Sequence, residues 1–82
     1  MSAPPATARP VKRSLTLRGH RTSVSLEDAF WQAFRDLART RGLTLNALAA
    51  EIDEARAPDV GLASAIRVAV LRALQASSST SQ

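Results

Sequence analysis

The chain has 82 residues, a formal net charge of +4, a single histidine and no cysteine. This length predicts one small domain with a limited core. The missing cysteines exclude disulfides, thiolate metal sites and a cysteine nucleophile, and one histidine cannot build a metal site alone. We therefore expect no cofactor and no catalysis. No apolar run reaches the roughly 20 residues of a membrane span, and the N-terminus lacks an apolar signal core, so a cytoplasmic protein without a membrane partner is expected.

The positive charge is concentrated at the N-terminal end. Residues 1–21 contain five cationic residues and no acid, whereas residues 22–82 contain six arginines and seven acids. A localised basic segment is typical of proteins that bind polyanions. The alternative is a solvated tail that only raises solubility, and charge alone does not decide between the two.

The first third of the chain changes its pattern twice. Residues 1–12, rich in Pro, Ala and Thr, predict a flexible basic arm. Polar and apolar residues then alternate, first with Leu15 and Leu17 on the apolar side and then with Thr22, Val24 and Leu26. The phase slips by one residue near Gly19, as at a tight turn or a bulge. The pattern predicts a main strand from Arg21 to Leu26, and leaves open whether residues 15–18 form an extra strand.

Helical periodicity begins after this strand. The first helix is predicted from Glu27 or Asp28 to Arg41, with Ser25 as its N-cap and Gly42 as its stop. Its apolar stripe comprises Phe30, Ala33, Phe34, Leu37 and Ala38. Trp31 is expected at the edge of this stripe, where it packs on a third helix or on a partner chain.

Two more helices complete the pattern. Thr44 is a predicted N-cap for a helix from Leu45 to about Arg56. A break at 57–61 leads to a third helix from about Leu62 to Gln75, and residues 76–82 are predicted to be a disordered tail. The domain is thus expected to span residues 13–75, mainly as α-helix.

The order of strand, helix, glycine turn, capped helix resembles the ribbon-helix-helix proteins. The resemblance rests on "RTSVSL" for the strand, "FWQAFRDLARTRGLTLNALAAEI" for the helices and "RGLTLN" for the turn between them. The longer string "KRSLTLRGHRTSVSLEDAFW" through "LASAIRVAVLRAL" is similar to a bacterial subfamily that adds a third helix. The resemblance implies one strand per chain, paired antiparallel with its equivalent across a two-fold homodimer. A lone strand would otherwise leave its backbone groups unpaired.

The same resemblance implies which residues hold the dimer and which contact double-stranded DNA. The outward residues of the strand, expected to contact bases in the major groove, are Arg21, Ser23 and Ser25. Phosphate contacts are expected from the arm and from the start of the second helix, at Lys12, Arg13, Arg18, Thr44, Leu45 and Asn46. The dimer core is expected to comprise Val24, Leu26, Phe30, Phe34, Leu37, Leu48 and Ile52. A repressor or autoregulator associated with the nucleoid would use these surfaces.

A second interpretation concerns the third helix, whose apolar surface is broad. A helix of this kind must be covered by the dimer core, by a higher oligomer or by a protein partner. The last possibility corresponds to an interaction module of the antitoxin type. An enzyme is the weakest class, because Glu51 and Glu54 lie on an exposed helix face and no phosphate-binding glycine loop is present.

Overall fold

A computed structural model describes residues 9–80, with side chains for residues 9–77. The elements are β1 (Pro10–Leu17), β2 (His20–Glu27), α1 (Asp28–Thr40), α2 (Leu45–Ala55) and α3 (Leu62–Thr80). Most of the predicted arm, residues 1–8, lies outside the described residues. Residues 10–12 of that arm belong to β1.

β1 and β2 form an antiparallel hairpin within the chain, in register from Pro10 opposite Glu27 to Leu17 opposite His20. Both loop residues have positive φ, 54° at Arg18 and 86° at Gly19, which is what a two-residue type I′ turn requires. This tight turn explains the phase slip of the sequence. The expectation of one strand per chain was wrong, because β2 already has β1 as its neighbour. Pairing of β2 therefore does not by itself require a second copy.

The ends of α1 follow local backbone chemistry. Glu27 is its N-cap residue and makes no side-chain cap, so the predicted Ser25 cap was wrong: β2 continues past Ser25 to Glu27. At the other end Gly42 has a φ of 69°. The N–H groups of Gly42 and Leu43 donate to the carbonyls of Arg39 at 3.1 Å and Ala38 at 2.9 Å. This paired closure is a Schellman motif, in agreement with the predicted stop.

α2 and α3 begin at the predicted residues, Leu45 and Leu62. The Thr44 hydroxyl accepts the Ala47 N–H at 3.0 Å and caps α2 as expected. α3 runs five residues past the predicted end at Gln75, because no glycine or proline in 76–80 interrupts it. Residues 76–80 of the predicted tail are therefore helical, and residues 81–82 lie outside the described residues. None of the helices in the described part of the chain has the length and apolar content of a membrane span.

The helices pack on one face of the hairpin, and the buried side chains of the described residues form one core cluster. Four residues of the predicted dimer core, Val24, Leu26, Phe34 and Leu48, are buried within one chain. The other three, Phe30, Leu37 and Ile52, are partly buried against the same cluster.

The expected position of Trp31 at the edge of the α1 stripe was wrong. Trp31 is fully buried. Its indole N–H donates to the Val11 carbonyl at 2.8 Å, and the Arg13 guanidinium lies 5.7 Å from its ring centroid. Trp31 thus lies under β1 of its own chain.

Candidate nucleic-acid interface

The hairpin turns one face to the core and the other to solvent. Leu15, Leu17, Val24 and Leu26 point inward. Because side chains alternate along a strand, the even-numbered residues of β1 and the odd-numbered residues of β2 point outward. We call these the hairpin outer face: Lys12, Ser14 and Thr16 on β1, and Arg21, Ser23 and Ser25 on β2. Across the strands, Thr16 lies opposite Arg21, Ser14 opposite Ser23, and Lys12 opposite Ser25. All three residues predicted to contact bases therefore lie on this one face.

The outer face carries two cations at diagonal corners and four hydroxyl groups between them. Five of its residues are exposed and Ser25 is half-buried. Within the described residues, none of the six side chains forms a hydrogen bond or ion pair. A surface of this composition offers donors to phosphates and to base edges.

The acid at the end of the hairpin is neutralised within the chain. The Arg67 guanidinium donates to Glu27 Oε1 from Nε at 3.0 Å and from Nη2 at 2.9 Å. A hydrogen bond involving the backbone of Glu27 itself, followed by this contact with Arg67, lowers the pKa of the carboxyl. Glu27 therefore stays ionised but is paired with a cation of α3, which reduces its repulsion of an approaching anion.

Two contacts show which backbone groups point away from the hairpin. The Thr16 N–H donates to Asn46 Oδ1 at 3.1 Å, and Arg67 Nη2 donates to the Ser25 carbonyl at 3.4 Å. Because the Thr16 N–H points to Asn46 and away from β2, Thr16 and the opposite residue Arg21 form a pair without hydrogen bonds between their backbones. Such pairs alternate along an antiparallel ladder, so Ser14 and Ser23 also turn their N–H and C=O groups outward. The outward edge of β2 is formed by the backbone of Arg21, Ser23 and Ser25.

The start of α2 lies beside the outward edge of β1. The Thr44 hydroxyl accepts the Ala47 N–H and the Asn46 amide oxygen accepts the Thr16 N–H, so the Thr44 O–H and the Asn46 Nδ2 amide are left as the side-chain donors. The backbone N–H groups of Leu45 and Asn46 are in the first helical turn, where they have no intrahelical acceptor. These two backbone donors add to the side-chain donors that the start of α2 offers to an anion.

The remaining predicted phosphate contacts divide between two surfaces. Lys12 lies on the hairpin outer face. Arg13 belongs to the opposite side of β1 and is stacked over Trp31. Arg18 lies in the turn and pairs with Glu54 of α2. The structure thus brings Lys12 together with the predicted base contacts, but not Arg13 or Arg18.

Ser14 and Thr16 share the hairpin outer face with the predicted base contacts but are not among the predicted residues, because the sequence leaves open whether residues 15–18 form a strand. The signal was present in the two apolar series on either side of Gly19. A two-residue loop at 18–19 places both series on one face, and the hydroxyl residues between them on the other.

The surface of α3 is the other prominent feature. Val68, Leu71 and Leu74 are 45%, 52% and 58% exposed. Leu74 also lines two neighbouring depressions between α1 and α3, which share Ala33 and Val70; one of them includes Leu37 and the other Phe30. Within the described residues nothing covers this surface.

The sequence was compared with protein-family models, with curated proteins and with solved structures. A family model described as a ribbon-helix-helix domain matches residues 10–74, a region that includes both strands, α1, α2 and most of α3. No curated protein and no solved structure matches the chain.

Proposed function

The chain belongs to the ribbon-helix-helix family, and from this premise we propose that it is a homodimeric repressor or autoregulator that reads DNA with its hairpin. Proteins of this family generally bind DNA, form dimers and are not enzymes. The observation that carries the proposal is the hairpin outer face, which is basic, rich in hydroxyl groups and without partners in the described chain. Such a protein would act at the nucleoid, in the cytoplasm of a bacterium.

Base contacts are proposed for β2. A two-stranded ribbon fits the major groove, where each base pair presents a distinct pattern of donors and acceptors. The Arg21 guanidinium is suited to a bidentate contact with guanine, worth about 1–3 kcal/mol of discrimination. Ser23 and Ser25 both donate and accept, so each of them restricts the base less than Arg21 does.

The dimer is proposed to form through the outward edge of β2. Two copies related by a two-fold axis near Ser23 would pair these edges and build a sheet in the order β1-β2-β2-β1. Arg67 contacts the Ser25 carbonyl at the long distance of 3.4 Å. A carbonyl oxygen has two lone pairs, so Ser25 retains capacity for a strand donor from the second copy.

Phosphate contacts are proposed for Lys12 and for the backbone N–H groups of Leu45 and Asn46. They would flank the base-contacting strands and supply affinity that depends on salt and not on sequence.

The experiment is selection from a pool of random DNA duplexes, followed by affinity measurements over a range of salt. Arg21→Ala should relax the selected preference at one position, whereas Lys12→Ala should weaken all duplexes about equally. Arg35→Ala, which removes the same charge from an exposed site on α1, is the matched control and should change neither. Unaltered base preference in Arg21→Ala would refute the assignment of base contacts.

The second candidate function is the antitoxin-type module, with a protein partner on α3. The exposed Val68, Leu71 and Leu74 favour it. If a protein partner covers them, Leu71→Lys should abolish that association while leaving DNA affinity intact. Equal association of the wild type and Leu71→Lys would exclude α3 as the docking surface.

A further inference from the structure

We infer that Ser14 and Thr16 of β1 bind DNA phosphates at the rim of the major groove, as uncharged contacts flanking the base-contacting β2. This inference rests on the proposed function. β1 lies between two surfaces with different proposed roles. One long edge of β1 pairs with β2, and the other meets α2 through the bond from the Thr16 N–H to Asn46 Oδ1.

The width of the sheet decides what β1 can reach. Neighbouring strands lie about 4.8 Å apart, so the outermost strands of a four-stranded sheet are about 14 Å apart. The major groove is only about 12 Å wide. The two central β2 strands fit inside it, whereas the β1 strands on either side lie over its walls, where the phosphates are.

The side chains of β1 suit this position. Ser14 and Thr16 are exposed, carry short hydroxyls without partners among the described residues, and lie on the same face as Arg21 and Ser23. Each hydroxyl donates one hydrogen bond, and a phosphate oxygen is a charged acceptor that strengthens it. The outward N–H of Ser14 adds another donor at the edge of the strand.

Phosphate contacts by hydroxyls have a signature that base contacts and cationic contacts lack. They carry no sequence information, so removing them should weaken every duplex alike. They also carry no charge, so they release no counterions of their own. The slope of log affinity against log salt should therefore stay unchanged. Removing a lysine–phosphate contact would instead reduce the magnitude of this slope by about 0.9 for each contact.

The test is the double variant Ser14→Ala/Thr16→Val, measured on a selected duplex and on a random duplex over a range of salt. Valine keeps the strand preference and the backbone N–H that Asn46 accepts. The proposed dimer loses four hydroxyls, two from each copy, so we expect affinity to fall about 30-fold or more on both duplexes, with the salt slope and the selected sequence unchanged. Ser14→Thr/Thr16→Ser exchanges the two hydroxyl residues and should bind like the wild type. Circular dichroism verifies that both variants fold.

Three results would overturn the inference. Wild-type affinity in the double variant would show that Ser14 and Thr16 do not touch DNA, and an altered selected sequence would show that they contact bases. In either case Arg21→Ala should still relax base preference, so the proposed function would stand. If the wild type shows no salt-dependent DNA binding at all, the proposed function falls and this inference falls with it.

Discussion

Proline at position 23 should separate dimer formation from folding of the hairpin. The Ser23 N–H points away from β1, because Ser14 and Ser23 form a pair that exchanges no ladder bonds. Proline has no N–H, and it is tolerated on an edge where that group faces outward. Ser23→Pro should therefore leave the β1–β2 ladder intact and block only the proposed pairing of β2 with its equivalent.

The size of the effect follows from the proposed pairing. With the two-fold axis at Ser23, the outward groups of Arg21, Ser23 and Ser25 would exchange about six ladder hydrogen bonds between the two chains. The proline substitution, present in both copies, removes two of them and leaves their carbonyl acceptors unpaired. At about 1 kcal/mol for each bond, plus the cost of the unpaired groups, the dimer loses about 2–4 kcal/mol. Its dissociation constant should rise about 30- to 1,000-fold.

Ser14→Pro is the matched control. Ser14 lies directly opposite Ser23, and its N–H points outward from β1, at an edge that takes no part in the proposed dimer. Analytical ultracentrifugation over a range of concentrations would compare the two variants with the wild type, and far-ultraviolet circular dichroism would verify their fold. A monomeric wild type, or equal weakening of the dimer by both prolines, would refute pairing through β2.

Three further substitutions test the contacts that hold the site together. Thr44→Ala should lower the free energy of unfolding by about 1 kcal/mol, because the Ala47 N–H loses its acceptor; Thr44→Ser should restore it in thermal unfolding. Trp31→Phe should cost about 1–3 kcal/mol, since it removes the bond to the Val11 carbonyl and leaves a void beneath β1; a loss well below this in urea unfolding would contradict the buried position. The lowered pKa of Glu27 stabilises the fold above its ordinary value of 4.5, and this stabilisation is lost as the pH falls through the lowered pKa. The difference in melting temperature between the wild type and Glu27→Gln should therefore shrink as the pH is lowered from about 7 through the lowered pKa, and a constant difference over the whole acid range would show that ionisation of Glu27 is irrelevant.

Helices were the part of the fold that local sequence rules could predict. The start of α2 and the end of α1 depend on chemistry within a few residues, namely the Thr44 hydroxyl on the Ala47 N–H and the positive φ of Gly42. The prediction failed where the determining contact is distant. Trp31 is buried because its indole meets Val11, twenty residues earlier, and no helical periodicity contains that information. The Arg67 contact with Glu27 spans forty residues and was likewise beyond local rules.

The hairpin gives β2 a pairing partner within its own chain, so folding does not require a dimer. Had β2 been alone, its unpaired backbone would have made a second copy necessary for folding. With β1 in place, the inward residues Val24 and Leu26 are already buried and one edge of β2 is already paired. A dimer then depends only on the second edge, with Ser23 at its centre, and on whatever covers the apolar surface of α3. Association should therefore be weaker than folding, so dilution should separate dimers into folded monomers before the chain unfolds. Because only the dimer would present both β2 strands to the groove, DNA affinity should fall with dilution while the circular dichroism spectrum stays unchanged.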